Sequence, residues 1–171
     1  MESKDLIDRL QADWQRERPD LDTSAMGIVG RVLLLADMLK KRANDVLATY
    51  GLGYTDLDVL ATLRRSGEPF TLRPADLLRS VLIQSGSLTA CLDRLAKAGF
   101  IERVQTPGDR RSRSVRLTED GLKCINEAIA VRFAEATEAV APLRDAERDA
   151  LTDGLRTLVL TLEAASKSSA T

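Results

Sequence analysis

The hydrophobic period of the chain changes between residues 74 and 118, and this change constrains the fold more than any other feature. Apolar residues recur every three or four positions in PADLLRSV and again in QSGSLTACLDRLAKAG, which predicts a short helix and a second helix closed by Gly99. The stretches FIERVQT and SRSVRLT then alternate apolar and polar residues on either side of Pro107-Gly108, which predicts two strands and a turn. Short helix, tight turn, second helix and β-hairpin is the order of a helix-turn-helix motif followed by a wing.

Helical spacing also covers most of the remaining chain. The predicted helices are residues 3–17, the stretch from Thr23 to Gly51, Thr55 to about Arg65, residues 118–140 and residues 145–165. Thr55 and Asp58 match a capping box at the start of the third of these helices. The expected fold class is therefore mainly α, with a small β-hairpin wing.

The composition of the chain excludes several classes of function. The 171 residues include no histidine, which excludes histidine-based catalytic triads and zinc motifs. Cys91 and Cys124 have no C-x-x-C companion, so we expect no metal site, no cofactor and no disulfide framework. The N-terminus lacks the apolar core of a signal peptide, and no apolar run is long enough to span a membrane, which predicts a cytoplasmic protein. No motif names a reaction, and we expect a protein that is not an enzyme.

The charge of the chain is unevenly distributed. Residues 72–118 hold nine lysines and arginines against four acids, a net charge of +5. Because the whole chain carries −1, the remainder sums to −6. A basic middle segment within acidic flanks predicts one local surface that faces an anionic partner.

The second helix of the motif has two chemically different faces. Its apolar residues share one face, which is predicted to pack inward: Leu88, Cys91, Leu92 and Leu95. Small hydroxyl and amide groups on the other face suit close approach to DNA base edges, and basic groups suit phosphates. The candidate DNA contacts on this helix are Gln84, Ser85, Ser87, Thr89 and Arg94. The alternative is an exposed polar face without a partner.

The turn of the hairpin gathers arginines with few acids to pair them. Exposed ion pairs contribute only ~0–1 kcal/mol, so stability explains this cluster poorly. Arginine is favoured in a narrow DNA minor groove, where phosphate potential is concentrated. The candidate contacts are Asp109, Arg110, Arg111 and Arg113, with Arg116 as a further phosphate contact. Asp109 is placed to hold and aim Arg111. A solvated, charged loop is the alternative.

Four motifs follow one another in the middle of the chain: T-x-R-P-A-D-L-L at 71–78, S-G-S-L-T-x-x-L-D-R-L-x-x-x-G at 85–99, D-R-R at 109–111 and V-R-L-T-E-D-G at 115–121. In this order they resemble the MarR family of winged helix-turn-helix regulators, over about residues 24–165. The resemblance implies a homodimer, a pseudo-palindromic operator in double-stranded DNA, and a small effector that weakens DNA binding. It implies four segments: an N-terminal extension helix at 1–20, a dimerisation helix at 21–52, a winged helix-turn-helix DNA-binding lobe at 53–118, and C-terminal dimerisation helices at 119–171.

A subgroup of the family is more similar still. The N-terminal helix with Trp14, the phrase ERPDLD at 17–22, and the stretches LDVLATLRRSG and LLRSVLIQSG resemble the urate-responsive, PecS- and HucR-like proteins. That resemblance implies a ligand site at Trp14, Asp58, Cys91 and Arg103. Cys91 stands where the subgroup has an arginine, so an anionic ligand loses a counter-charge and weak urate binding is predicted.

Each residue of that implied ligand site also has a purely structural interpretation. Trp14 can anchor its own helix, and Asp58 can serve only as the capping partner of Thr55. Arg103 can contact a phosphate or form an ion pair, and Cys91 can be a small buried hydrophobe.

The expected function is a ligand-responsive transcriptional regulator. It is expected to repress transcription as a homodimer and to leave DNA when a small aromatic or anionic metabolite binds. The alternative is a helical dimeric module that binds a protein partner through the basic hairpin and does not bind DNA.

Overall fold

The computed structural model describes residues 4–82, 85–106 and 109–168. Within these ranges the chain forms seven α-helices and three β-strands. In chain order they are α1 (Leu6–Glu17), α2 (Ser24–Leu47), α3 (Tyr54–Arg65), β1 (Thr71–Leu72), α4 (Pro74–Ser80), α5 (Ser85–Lys97), β2 (Ile101–Thr106), β3 (Asp109–Leu117), α6 (Glu119–Val140) and α7 (Asp145–Ser168). A single 3-10 turn, Ala48–Tyr50, follows α2. The mainly helical fold with a small wing is confirmed.

Two compact units make up the chain, Met1–Arg132 and Phe133–Thr171. The first unit contains α1 to α5, the sheet and the beginning of α6. The second contains the end of α6 and α7, and α7 exposes several large apolar side chains: Leu151, Leu155, Leu158, Val159, Leu160 and Leu162. The division into four functional segments stays a prediction.

The core of the first unit lies where α3, α4 and α5 meet the sheet. Leu60, Leu63 and Leu77 are fully buried there. The apolar face of α5 packs against them as its spacing predicts, because Leu88, Cys91, Leu92 and Leu95 are all buried. The opposite face of α5 is thereby turned to solvent.

The sheet is antiparallel, with strand order β1-β3-β2. The hairpin β2–β3 was expected, and its register pairs Ile101 with Leu117 and Arg103 with Val115. Strand β1 was not predicted, because two residues are too few to show an alternating pattern. It exists through its pairing with β3, in which Leu72 lies opposite Val115.

The start of α3 differs from the expectation. Tyr54 is its first residue, and Asn44 Oδ1 of α2 accepts a hydrogen bond from the Tyr54 N–H at 2.8 Å. This contact with α2 sets the start of the helix one residue early. Asp56 Oδ2 therefore accepts the Gly53 N–H at 3.0 Å, so the capping box predicted for Thr55 and Asp58 is wrong.

Helix α1 is fixed to α2 by ion pairs and by close packing. Asp5 and Asp8 cap each other's backbone N–H groups at 2.9–3.0 Å, and Arg31 of α2 binds both carboxylates at 2.8 and 2.5 Å. The Asp8 N–H and the Arg31 guanidinium hold the pKa of the Asp5 carboxyl below its usual range. Ile7 packs directly over Gly30, where an added Cβ would lie 3.0 Å from Ile7 Cδ1.

The wing joins α6 through a close backbone approach. Thr118 Oγ1 donates to the Gly99 carbonyl at 2.7 Å and accepts the Gly121 N–H at 3.0 Å. A Cβ on Gly121 would lie 1.9 Å from the carbonyl oxygen of Phe100, so only glycine fits there. None of the helices in the described ranges is both long enough and apolar enough to cross a membrane.

Candidate nucleic-acid interface

The exposed face of α5 forms the centre of the candidate interface. Ser87, Thr89 and Ala90 are exposed on this face, while the opposite face is buried in the core. Small side chains leave room for a base edge to come close, and a hydroxyl can both donate and accept a hydrogen bond. The face can therefore enter a groove of DNA without steric conflict from long side chains.

The structure does not describe the side chains of several predicted DNA contacts. Gln84 lies outside the described residues. Ser85 is the first residue of α5, and Asp109, Arg110 and Arg111 belong to β3, but their side chains are not described. The predicted pairing of Asp109 with Arg111 therefore stays a prediction.

Arg113 differs from the other arginines of the wing. Its side chain is exposed on β3, and among the described residues no carboxylate pairs with it. Arg116 instead binds Glu102 across the hairpin at 2.9 and 3.0 Å, and Arg103 binds Asp93 of α5 at 2.6 Å. These two pairs are exposed and contribute little stability, about 0–1 kcal/mol each. Of these three arginines, Arg113 is the one with its charge fully available to an anion.

Arg94 makes an ion pair that the sequence pattern did not predict. Its Nη2 atom lies 2.7 Å from Oδ1 of Asp56 in α3. The Asp56 side chain is 12% exposed and that of Arg94 is 57% exposed. The pair joins two residues 38 positions apart, and no spacing rule within one helix could have found it.

Cys91 lies on the buried side of the same contact. Its Sγ is 3.1 Å from Asp56 Oδ1, and the thiol donates while the carboxylate accepts. Burial, followed by the hydrogen bond to Asp56, raises the pKa of the Cys91 thiol to about 12. A thiol in this state is neither a nucleophile nor a metal ligand. Among the described residues, no cluster of His, Cys, Asp and Glu side chains could hold a metal ion.

Asp58 contacts the turn between the two helices of the motif. Its Oδ2 atom accepts the backbone N–H of Leu82 at 2.6 Å. This hydrogen bond holds the chain just after α4 against α3, shortly before α5 begins. Asp58 therefore has a structural contact other than the capping role first expected for it.

Trp14 lines a cavity between α1 and α2 of about 460 Å³. Most of the lining is apolar, and its residues are Ile7, Leu10, Gln11, Trp14, Leu21, Asp22, Thr23, Met26 and Gly30. The volume falls within the range typical of small-ligand sites. Of the four residues of the predicted ligand site, Trp14 is the one that lines this cavity, and Asp58, Cys91 and Arg103 are not among its lining residues.

Arg103 lines a second, smaller cavity of about 150 Å³ beside α5 and the wing. Thr89 and Arg113 also line it, together with Pro74, Leu92, Ser114 and Val115. Of its two arginines, Arg103 is paired with Asp93, so Arg113 is the residue here with a charge available to a small anionic group.

Comparison with known proteins agrees with this arrangement. The family model described as "MarR family" matches residues 52–112, which contain α3, β1, α4, α5 and the hairpin up to Ser112. HTH-type transcriptional regulator PecS of Dickeya dadantii is 33% identical over 135 residues, which cover 79% of this chain and 81% of PecS. Together these matches favour a regulator over a protein-interaction module without DNA binding.

Two solved structures have the same fold. A mutant MarR from E. coli complexed with operator DNA has a TM-score of 0.69 and 22% identity, covering 91% of this chain and 99% of that one. BpsR of Bordetella bronchiseptica, from a study of how 6-hydroxynicotinic acid regulates its DNA binding, has a TM-score of 0.68 and 23% identity, covering 77% of this chain and 92% of that one. With the winged lobe, the exposed face of α5 and a relative matched over four fifths of its length, the chain belongs to the MarR family of transcriptional regulators.

Proposed function

We propose that the protein is a repressor that binds a pseudo-palindromic operator as a homodimer and acts in the cytoplasm. The observation that carries the proposal is the exposed, small and polar face of α5 beside the exposed Arg113 of the wing. Helix α5 enters the major groove and reads base edges, while the wing lies along the neighbouring minor groove. Ser87 and Thr89 are the base-reading candidates within the described ranges.

Dimerisation is supported by apolar surface that a monomer would leave in water. Large exposed apolar side chains lie on α2 of the first unit, among them Met26, Ile28, Val32, Leu33 and Met38. Exposed apolar surface of this extent marks a protein–protein interface. A dimer places two recognition helices about one helical turn of DNA apart, roughly 34–36 Å.

For the effector, we propose a small aromatic molecule bound in the cavity between α1 and α2. The cavity is apolar, Trp14 provides an aromatic face, and none of its lining residues is a lysine or arginine. The far end of α2 is tied to the DNA-binding lobe, because Asn44 binds the first residue of α3 and Leu47 is fully buried in the core. Movement of α2 would therefore change the spacing of the recognition helices, and operator affinity with it.

The test is a fluorescence anisotropy titration of the protein with labelled DNA from upstream of its own gene. We expect selective binding over a scrambled duplex of equal length, weakening steeply with salt. Arg113→Ala should lower the affinity and reduce the salt slope by about 1, as expected for a phosphate contact. Arg16→Ala removes an equal charge from α1 and is the matched control. Equal affinity for both duplexes would contradict the proposal.

A further inference from the structure

The carboxylate of Asp56 in α3 joins the start of its own helix to α5. One of its oxygens, Oδ2, accepts the Gly53 N–H at the start of α3. The other, Oδ1, accepts from two residues of α5, the Cys91 thiol at 3.1 Å and the Arg94 guanidinium at 2.7 Å. Both oxygens are satisfied, and the residue is 8% exposed.

Two donors of α5 bind the same oxygen of Asp56. Cys91 and Arg94 lie three positions apart, so they are neighbours on successive turns of one helix face. Because both bind one oxygen of α3, a movement of α5 relative to α3 would lengthen at least one of the two contacts. One carboxylate thus holds two turns of α5 in place against α3.

We propose that Asp56 and Arg94 are a positioning pair, and that Arg94 supports DNA binding by holding α5 in place rather than by contacting a phosphate. The proposal rests on the proposed operator binding, because it assigns roles within that interface. It replaces the expectation that Arg94 is itself a DNA contact. The proposal is based on the unequal burial of the pair. The Asp56 carboxylate is almost enclosed, and the partly exposed Arg94 side chain binds it from the surface.

The two roles predict opposite signs for one substitution. Asp56→Asn keeps an oxygen for the Gly53 N–H and removes the negative charge. If Arg94 contacted a phosphate, losing its acidic partner would leave more of its charge for DNA, and operator affinity would rise. If the pair positions α5, the same change loosens the helix, and we expect operator affinity to fall about tenfold.

Arg94→Gln supplies the second half of the test. In the positioning role this variant weakens operator binding by a similar factor and leaves the slope of log affinity against log salt unchanged. The double variant should then bind no more weakly than either single variant, because both changes remove the same contact. A phosphate contact predicts instead that Arg94→Gln reduces the slope by about 1. If Asp56→Asn fails to fold, the salt slope of Arg94→Gln alone distinguishes a positioning role from a phosphate contact.

The matched control is Asp93→Asn, which makes the same chemical change on the exposed side of α5. Asp93 pairs with Arg103 at the surface, so its neutralisation should leave operator affinity equal or slightly higher. Urea unfolding without DNA tests the contact between Asp56 and Arg94 independently of operator binding. The effects of Asp56→Asn and Arg94→Gln on the unfolding midpoint should be non-additive even if no operator is found. Additive effects, or tighter operator binding by Asp56→Asn, would overturn the positioning role.

Discussion

The Cys91 thiol lies fully buried at 3.1 Å from a carboxylate oxygen, and its chemistry follows from that position. A thiolate there would lose hydration and would face the negative charge of Asp56. Both effects favour the protonated form and raise the pKa of Cys91 to about 12. The residue thus acts as a hydrogen-bond donor within the fold, and a redox role finds no support at this position.

We expect the Cys91 thiol to resist modification in the folded protein. In a Cys124→Ser variant, a thiol reagent at pH 8 should react only as fast as the protein unfolds, and rapidly in urea. The matched variant, Cys91→Ser, retains the partly exposed Cys124 and should react without denaturant. Rapid labelling of Cys91 in the native Cys124→Ser protein would contradict the expected burial.

The same pKa difference fixes the sign of a stability effect in alkaline solution. The Cys91 thiol titrates at a reference pKa of 9.0 when unfolded and at about 12 when folded. Its contribution to stability is therefore fully present below pH 9 and is lost as the pH rises toward 12. The free energy of unfolding of the wild type should fall faster over this range than that of Cys91→Ala, measured by urea titration at stepped pH.

At the scale of elements, the junction between wing and α6 depends on one glycine. Gly121→Ala would place a methyl group 1.9 Å from the Phe100 carbonyl oxygen, and backbone atoms there cannot move aside without disturbing the sheet. We expect this change to lower the free energy of unfolding by more than about 2 kcal/mol. Gly53→Ala is the matched control, since its nearest contact is an ordinary 3.4 Å, and it should cost less than about 1 kcal/mol. Equal losses in urea unfolding would contradict this account.

The elements themselves were largely predictable from periodicity, and the contacts between them were not. The buried face of α5 and the hairpin follow from spacing alone, because burial imposes a period on each. Strand β1 could not be predicted from the sequence, because only its pairing with β3 defines it. The choice of Asp56 over Asp58 as the cap of α3 depended on Asn44, a residue of another helix. The pair of Asp56 with Arg94 joins distant positions and becomes visible only once α3 and α5 pack together.

For the molecule as a whole, the cavity between α1 and α2 predicts what kind of effector it accepts. Trp14 is the only tryptophan of the chain and lines that cavity, so its fluorescence reports directly on occupancy. We expect neutral aromatic compounds to change this fluorescence and to release the operator in parallel. Urate should bind weakly, because the cavity offers no cationic side chain to an anionic ligand.

Two methionines on α2 allow the location of the effector to be tested. Met26 and Met38 are each 55% exposed, but only Met26 lines the cavity. Met26→Lys should therefore weaken effector binding at least about tenfold. Met38→Lys places the same charge on the exposed apolar surface of α2, so it controls for any loss of dimerisation and should leave effector affinity unchanged. Calorimetry and the Trp14 fluorescence titration measure both. Tight urate binding with operator release, or equal effects of the two substitutions, would place the effector elsewhere.

The separation of roles around α5 has a consequence for how such a protein can change. The residues that hold the helix, Cys91 and Arg94, differ from those that face outward, Ser87, Thr89 and Ala90. Substitutions on the outward side leave the anchoring contacts intact. A new target sequence can therefore be acquired by small successive steps, each made without first repairing the scaffold. The outward side chains of α5 can therefore be varied while the helix stays in position, which suits the protein to directed evolution toward altered operators.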